Sequence, residues 1–395
     1  MEAGNSIRVA SIDVLRAITM VLMIFVNDLW SLENIPLWLE HVPADADGLG
    51  LADIVFPAFL LIVGMSIPLA VSSRGKKGDS QVAIAWHIIT RGVALIVMGL
   101  FLVNGENINE SASVNRLLWN TLSCTAFILL WNHYPSTVRP STRNLFRAAG
   151  IVTLIVLAII YKAGSDGATH GFSIYWWGIL GLIGWAYLLT GLIYVAARSN
   201  FAIMAFAWIS FNVLCVMTHL KVDWHPVIKI LLQPFGSGAM PAFVCGGVLV
   251  TMIFLHFRNQ GRVGKGSAAL ITMAFVLLVL GFYLREFWGI SKIRATPSWV
   301  WICSSITIAM FVVLHFIVDM FGKGHWFNFI RPGGTNTLIC YIIPYFAYAV
   351  VSVLPFELPA LMLTGIAGLF KSLIFALLTV ALAGVLQKWH IQIKL

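Results

Sequence analysis

The sequence predicts an all-α membrane protein, a polytopic bundle of about twelve transmembrane helices, with ten or eleven as the alternatives. The chain has 395 residues, of which 59% are hydrophobic and only 10% charged. A soluble core cannot bury that much apolar surface, so the chain needs lipid as its solvent. The apolar residues also fall in runs near the length that a helix needs to cross the hydrocarbon core.

Twelve such runs follow one another along the chain. They cover roughly residues 11–30, 51–71, 83–103, 115–133, 145–161, 175–197, 201–219, 239–257, 267–287, 299–320, 335–353 and 361–386. The loops between them are short, so we expect one membrane domain over residues 1–395. The two halves show no evident repeat of the kind found in many secondary transporters.

Basic residues alternate from loop to loop, which predicts the topology. They precede the first span and follow the second, fourth and eighth spans, at Arg8, Arg74, Lys76, Lys77, Arg139, Arg143, Arg147, Arg258, Arg262 and Lys265. Acidic residues concentrate in the opposite loops, although Lys292 and Arg294 dilute the asymmetry. The positive-inside rule then places both termini in the cytoplasm. Orientation in the bilayer explains the net charge of +9, and no nucleic-acid partner is expected.

The five cysteines indicate neither disulfides nor a metal site. They are scattered through apolar runs without a CxxC pair, at Cys124, Cys215, Cys245, Cys303 and Cys340. We expect buried, unreactive thiols and no metal.

Ionisable residues inside spans are costly in lipid and need a partner, water or a function. Asp13 and Arg16 lie three residues apart at the start of the first span, on one helical face, where carboxylate and guanidinium can meet. The pair is either a structural ion pair or one wall of a cofactor cavity.

A second polar group lies near the other end of the first span. Asn27 and Asp28 close that span, His41 follows in the loop, and Asp53 begins the second span. These residues can line the opening of a cavity at that end of the two spans. His41 is a solvated loop residue or a group that accepts a proton near neutral pH, and Asp53 either caps its helix or belongs to the site.

Further polar residues occur at Arg91, Asn104 and Arg116, and in the run from Arg331 to Asn336. Permanent charges at Arg91 and Arg116 favour an anionic ligand or a carboxylate partner, although Arg116 can also snorkel to the interface. Glycines before Asn336 allow close approach of a ligand, or simply begin a helix.

Several of these segments resemble one family of membrane enzymes. The matching segments are Ser11–Arg16, Met23–Asn27, Gly48–Pro57, Arg91, Met98–Asn104, Arg116 and Pro332–Asn336, with Tyr341 beyond. Together they resemble heparan-alpha-glucosaminide N-acetyltransferase and its bacterial relatives, which are transmembrane acyltransferases. Residues 11–133 carry most of the likeness.

The resemblance implies transfer of an acetyl group from cytoplasmic acetyl-CoA to an amine or hydroxyl of a glucosamine-type sugar or glycan on the other side of a bacterial inner membrane. It assigns acetyl transfer to His41 and Asn27. Asp53, Arg116 and Asn104 are then expected at the sugar end. The expected cofactor-binding residues are Asp13, Arg16, Arg91 and Asn336.

Two other functions stay open from the residues alone. A secondary transporter or exporter of a small anion or sugar also has about twelve spans with both termini inside, and an accessory scaffold would need neither His41 nor Asn27. Three glycines on one face of the sixth span, Gly178, Gly181 and Gly184, can pack helices within the chain or in a homodimer.

Overall fold

The computed structural model describes residues 9–111, 114–164, 169–220, 222, 224–354 and 358–395, so Arg8 lies outside the described residues. This part of the chain contains fourteen α-helices and no strand beyond isolated bridges. The helices are α1 (Ala10–Asp28), α2 (Leu51–Lys76), α3 (Gln81–Glu106), α4 (Arg116–Trp131), α5 (Pro140–Ile160), α6 (Ile179–Ala196), α7 (Phe201–His219), α8 (Pro226–Leu232), α9 (Ala239–Asn259), α10 (Val263–Trp288), α11 (Pro297–Leu314), α12 (Arg331–Thr335), α13 (Thr337–Val353) and α14 (Gly365–Lys388).

The predicted all-α class is confirmed, and each of the twelve predicted spans contains a helix. Ten helices of the described chain are long and apolar enough to cross a membrane. The helical segment Lys323–Thr335, which ends in α12, forms an eleventh candidate together with α13, bent by 75°. The remaining predicted span is α4, which has only 16 residues. A helix needs about 17 or more residues to span the hydrocarbon core, so α4 is slightly short.

The helices divide into a buried core and a lipid-facing shell. Within an 18-residue apolar stretch of each helix, 61%, 67% and 72% of the residues are buried in α2, α3 and α9. The corresponding shares in α5 and α7 are only 17% and 22%. The exposed apolar side chains of the outer helices face where lipid would lie. The five cysteines are free and buried, as the sequence predicts.

Small residues let the core helices approach each other closely. A Cβ atom on Gly64 of α2 would lie 1.9 Å from the carbonyl oxygen of Val244 in α9. A Cβ atom on Gly184 of α6 would lie 2.9 Å from the carbonyl oxygen of Gly92 in α3. The glycines of the sixth predicted span therefore pack helices within the chain.

We expect Gly64→Leu to destabilise the protein, because its side chain would collide with the backbone of α9. Overpacking of this kind costs about 1–3 kcal/mol or more, so thermal unfolding in detergent should occur at a lower temperature. Gly75→Leu is the matched control, since no atom lies within 4 Å of a Cβ atom at that position of the same helix. Equal melting temperatures for the two variants would contradict this packing.

Candidate active site

The imidazole of His41 is held by the buried carboxylate of Asp53. The Nδ1 atom of His41 lies 2.7 Å from Oδ1 of Asp53, and the two side chains are 47% and 1% exposed. The second oxygen of Asp53 accepts hydrogen bonds from the backbone N–H groups of Val42 and Gly50, at 3.0 and 3.1 Å. Asp53 therefore caps α2 and also orients His41.

This pairing fixes the tautomer of the histidine. A carboxylate only accepts hydrogen bonds, so the Nδ1 atom beside Asp53 must be the donor. In the neutral ring Nε2 then carries the lone pair. An imidazole oriented by a carboxylate in this way can accept a proton or attack an electrophile through Nε2.

Lys292 joins this pair from a distant part of the sequence. Its Nζ atom lies 3.3 Å from Nδ1 and 3.4 Å from Nε2 of His41. Burial lowers the pKa of Lys292, and the nearby Asp53 carboxylate opposes that shift. Lys292 forms no ion pair with a carboxylate of the described residues. In the sequence Lys292 is recognisable only as a loop residue, because no local pattern links it to a histidine 251 residues away.

The loop between α10 and α11 is tied to the loop between α1 and α2. The backbone N–H of Gly48 donates to the carbonyl of Ile290, and that of Ile290 donates to Asp47 at 2.7 Å. Arg285 forms an ion pair with Asp47 at 2.8 Å. Burial alone would raise the pKa of Asp47, but the hydrogen bonds from Arg285 and Ile290 outweigh it and hold that pKa below its usual value. These contacts fix Lys292 beside the histidine.

A cavity of about 720 Å³, here called the basic cavity, lies between α1, α2, α3, α6 and α13. No aspartate or glutamate is among its described lining residues. Its basic lining residues are Arg16, Arg74, His87, Arg91 and Lys394. A cavity with this lining suits an anion.

Arg16 is part of an ion pair and of the cavity wall at the same time. Its guanidinium lies 3.2 Å from Asp13, as the spacing predicts, and donates to the hydroxyl of Ser66 at 2.6 Å and the carbonyl of Gly334 at 3.1 Å. The ion pair and the cavity wall, which were alternatives in the sequence, therefore occur together.

Arg91 contributes a positive charge to the basic cavity and keeps one hydrogen-bond donor without a partner in the described chain. Its guanidinium lies 5.1 Å from the centre of the Tyr187 ring, a cation–π contact. Its Nε atom is buried and has no hydrogen-bond partner among the described residues. A buried, unpaired N–H is costly unless a ligand satisfies it.

Two pockets adjoin the basic cavity at the His41 end of the bundle. The first, of about 460 Å³, is here called the tyrosine pocket, and it contains Asn27, Glu106 and three tyrosines. It shares Met23 and Tyr341 with the basic cavity. Asn27 therefore lines a pocket that borders the basic cavity along α1.

The second, of about 450 Å³, is here called the tryptophan pocket. Its polar and aromatic lining residues are Phe56, Trp176, Trp177, Gln233, Ser237, Lys292, Arg294 and Trp299. It shares Ile179 with the basic cavity, and Lys292 connects it to His41. No hydrogen bond joins Asn27 to His41 in the described chain; Asn27 lines the tyrosine pocket, whereas His41 contacts Lys292 of the tryptophan pocket.

Asn104 and Arg116 bind backbone groups. Buried Asn104 donates to the carbonyl groups of Leu100 and Ser173, at 2.7 and 2.9 Å. Arg116 donates to the carbonyl of Glu106, a residue that lines the tyrosine pocket, at 2.8 Å. Arg116 therefore holds one wall residue of the tyrosine pocket, whereas Asn104 joins α3 to the segment before α6.

Asn336 lies beside the basic cavity at the bend between α12 and α13. Its amide donates to the carbonyl groups of Ala383 and Ile391, at 3.1 and 3.3 Å. Its own side-chain oxygen is buried without a partner in the described chain. Its neighbours Thr335 and Thr337 line the cavity.

Asp28, the neighbour of Asn27, is a buried structural charge. Its carboxylate contacts Lys371 at 2.7 Å, Ser372 at 2.6 Å and Tyr348 at 2.8 Å. These bonds join α1 to α13 and α14 and hold the end of α1 that carries Asn27.

Comparison with known proteins gives a match to the first three helices. Residues 8–108 match the family model described as heparan-alpha-glucosaminide N-acetyltransferase, catalytic. This part of the chain resembles an acetyltransferase domain. Human heparan-alpha-glucosaminide N-acetyltransferase is 36% identical over 101 residues and the mouse protein 34% identical. Each match covers 25% of this chain and only 14% of the relative. The resemblance includes His41, Asp53, Asn27 and Arg91 but none of the residues beyond 108.

We expect Lys371→Met to destabilise the protein by about 3–5 kcal/mol, because it leaves Asp28 as a buried charge without its cation. Unfolding in mixed detergent micelles measures the loss. Lys388→Met, at an exposed position of the same helix, should have little effect. Adding Asp28→Asn to Lys371→Met should recover part of the stability, and the absence of any recovery would show that the pair is not coupled.

Proposed function

We propose that this protein is a transmembrane acetyltransferase that moves an acetyl group from cytoplasmic acetyl-CoA to an amine or hydroxyl of a sugar on the extracytoplasmic side. The observation that carries the proposal is the basic cavity, which shares lining residues with both outer pockets, one of which contains Lys292, the lysine that contacts His41. The resemblance of residues 8–108 to an acetyltransferase catalytic domain supports it.

The basic cavity has the charge that the donor requires. Coenzyme A carries phosphate groups, and guanidinium groups match phosphate in charge and geometry. Arg91 has an unsatisfied Nε–H group for this purpose, and Arg16 and Arg74 lie in the same cavity. We assign the phosphate groups to this end of the cavity, with Asp13 and Asn336 holding its wall in place.

Helix α1 supplies a continuous path from the charges to an outer pocket. Arg16, Met20 and Met23 line the basic cavity, and Met23 and Asn27 line the tyrosine pocket. Spacings of three and four residues place these side chains on one face of the helix. Arg16 and Asn27 are about 16 Å apart along the axis, at about 1.5 Å per residue. An extended pantetheine arm can follow such a path.

Helix α2 supplies a second path, towards His41. Phe59 lines the basic cavity and Phe56, one turn nearer the outer end, lines the tryptophan pocket. His41 borders that pocket through Lys292. We assign the transfer step to this end, because His41 is oriented by Asp53 and is 47% exposed, whereas His315, which a carboxylate also orients, is only 7% exposed.

At that site the acceptor nitrogen or oxygen attacks the carbonyl carbon of the thioester, the carbon–sulfur bond breaks, and Nε2 of His41 takes the acceptor proton. The departing sulfur leaves as the thiol once it receives a proton. A second route forms acetyl-histidine first and then passes the acetyl group to the acceptor. Asn27 lines the tyrosine pocket, and a role in acetyl transfer would require the thioester carbonyl to reach that pocket along α1.

We expect His41→Ala to lower the acetyl transfer rate by about 10²–10⁴-fold, the usual contribution of a general acid or base. Purified protein, radiolabelled acetyl-CoA and glucosamine provide the assay. His325→Ala, at an exposed histidine distant in sequence, is the control and should retain full activity.

Mass spectrometry of protein incubated with donor alone separates the two routes, because only acetyl-histidine adds an acetyl mass to the His41 peptide. Full activity in His41→Ala would exclude both routes.

We expect Arg91→Leu to weaken acetyl-CoA binding about tenfold or more, since a hydrogen bond to a charged group contributes about 1.5–3 kcal/mol. Titration calorimetry of detergent-solubilised protein measures the dissociation constant. Arg258→Leu, at an exposed position outside the cavity lining, is the control. If the wild type fails to bind acetyl-CoA, the acetyltransferase proposal fails and a transporter becomes the better explanation.

A further inference from the structure

The tryptophan pocket lies outside the part of the chain that resembles known acetyltransferases. Apart from Phe56, its lining residues begin at Trp176, whereas the match ends at residue 108. Its ligand therefore has to be inferred from the pocket itself. The pocket shares Ile179 with the basic cavity, and its Lys292 contacts His41, so an acceptor bound there would lie beside the proposed base.

Aromatic side chains give this pocket surfaces for a sugar ring. Trp177 is 51% exposed, Trp176 is half-buried, and Trp299 forms a buried floor whose indole N–H donates to the carbonyl of Asp53 at 3.0 Å. Indole rings combine an apolar face with a polar edge, which suits the apolar face and hydroxyl rim of a pyranose. Gln233 and Ser237 add polar side chains that make no hydrogen bond within the described chain.

The charges of the pocket are positive. Lys292 and Arg294 line it, and no aspartate or glutamate is among its described lining residues. Arg294 donates to the carbonyl of Trp288 at 3.2 Å and makes no ion pair within the described chain.

Nearby carboxylates do not neutralise these cations by direct contact. Asp53 is bonded to His41 and to two backbone N–H groups, and Asp47 is bonded to Arg285 and Ile290. The two lining cations therefore keep hydrogen-bonding capacity for a ligand.

We propose that the tryptophan pocket binds an acceptor sugar that carries an anionic group, such as a carboxylate, with the ring against the tryptophans and the anion at Lys292 and Arg294. The inference rests on the proposed function, because it assigns the acceptor of that reaction. An acceptor whose only charge is a protonated amine would meet two cations and no carboxylate in this lining, whereas a carboxylate would find a guanidinium and an ammonium.

Two acceptors that differ only in the anion test this assignment. Muramic acid is glucosamine with a carboxylate-bearing ether substituent, so the two share the amine that receives the acetyl group. We expect the kcat/KM for muramic acid to exceed that for glucosamine at least tenfold in the wild type. Arg294→Gln should reduce this ratio at least fivefold, whereas Lys162→Gln, at an exposed position outside the pocket lining, should leave it unchanged.

A binding measurement separates failure of this inference from failure of the proposed function. Calorimetric titration with N-acetylmuramic acid and N-acetylglucosamine requires no catalysis. Tighter binding of N-acetylmuramic acid that Arg294→Gln abolishes would support the anionic site even in a protein that transfers no acetyl group. Equal binding of the two sugars, binding of neither, or an acceptor ratio that Arg294→Gln does not alter would overturn it.

Discussion

The buried carboxylate of Asp53 is the contact on which the outer end of the bundle depends. One of its oxygens orients His41, the other accepts two backbone N–H groups, and its main-chain carbonyl accepts the indole N–H of Trp299 in α11. A carboxylate can be buried only when such bonds replace water. The same bonds therefore begin α2, fold the loop before it back onto the helix, and attach both to a helix from the far end of the chain.

Other charged groups in the bundle also need hydrogen bonds to replace water, but not all of them find enough partners within the described chain. Asp28 is surrounded by Lys371, Ser372 and Tyr348 and holds three helices together. Arg91 instead has an aromatic ring beside it and a buried Nε–H without a partner in the described chain. A fully bonded charge indicates a structural role, and a charge with unused donors indicates a place for a ligand. By this criterion the basic cavity and the tryptophan pocket are the candidate ligand sites.

The sequence predicts those parts of the structure that depend on local pattern. Apolar runs locate the helices because each span must satisfy its own backbone in lipid, and the spacing of Asp13 and Arg16 predicts their ion pair because residues three apart share a helical face. His41 and Asp53 meet through an irregular loop, whose path no periodicity encodes. Lys292 and the tryptophan pocket depend on contacts between helices distant in sequence. The short α4 and the bend before α13 are likewise set by packing that hydropathy does not report.

The 251 residues between His41 and Lys292 also impose an order on biosynthesis. At about 5–20 residues per second, roughly 10–50 s separate the synthesis of the two residues. During that interval Asp53 has neither the indole of Trp299 nor the loop that carries Lys292 to cover it, so the first helices enter the bilayer with a hydrated carboxylate at their outer edge. The site therefore cannot be complete before α11 has been made, and a chain truncated before α11 would keep the segment that resembles an acetyltransferase domain while exposing its buried carboxylate.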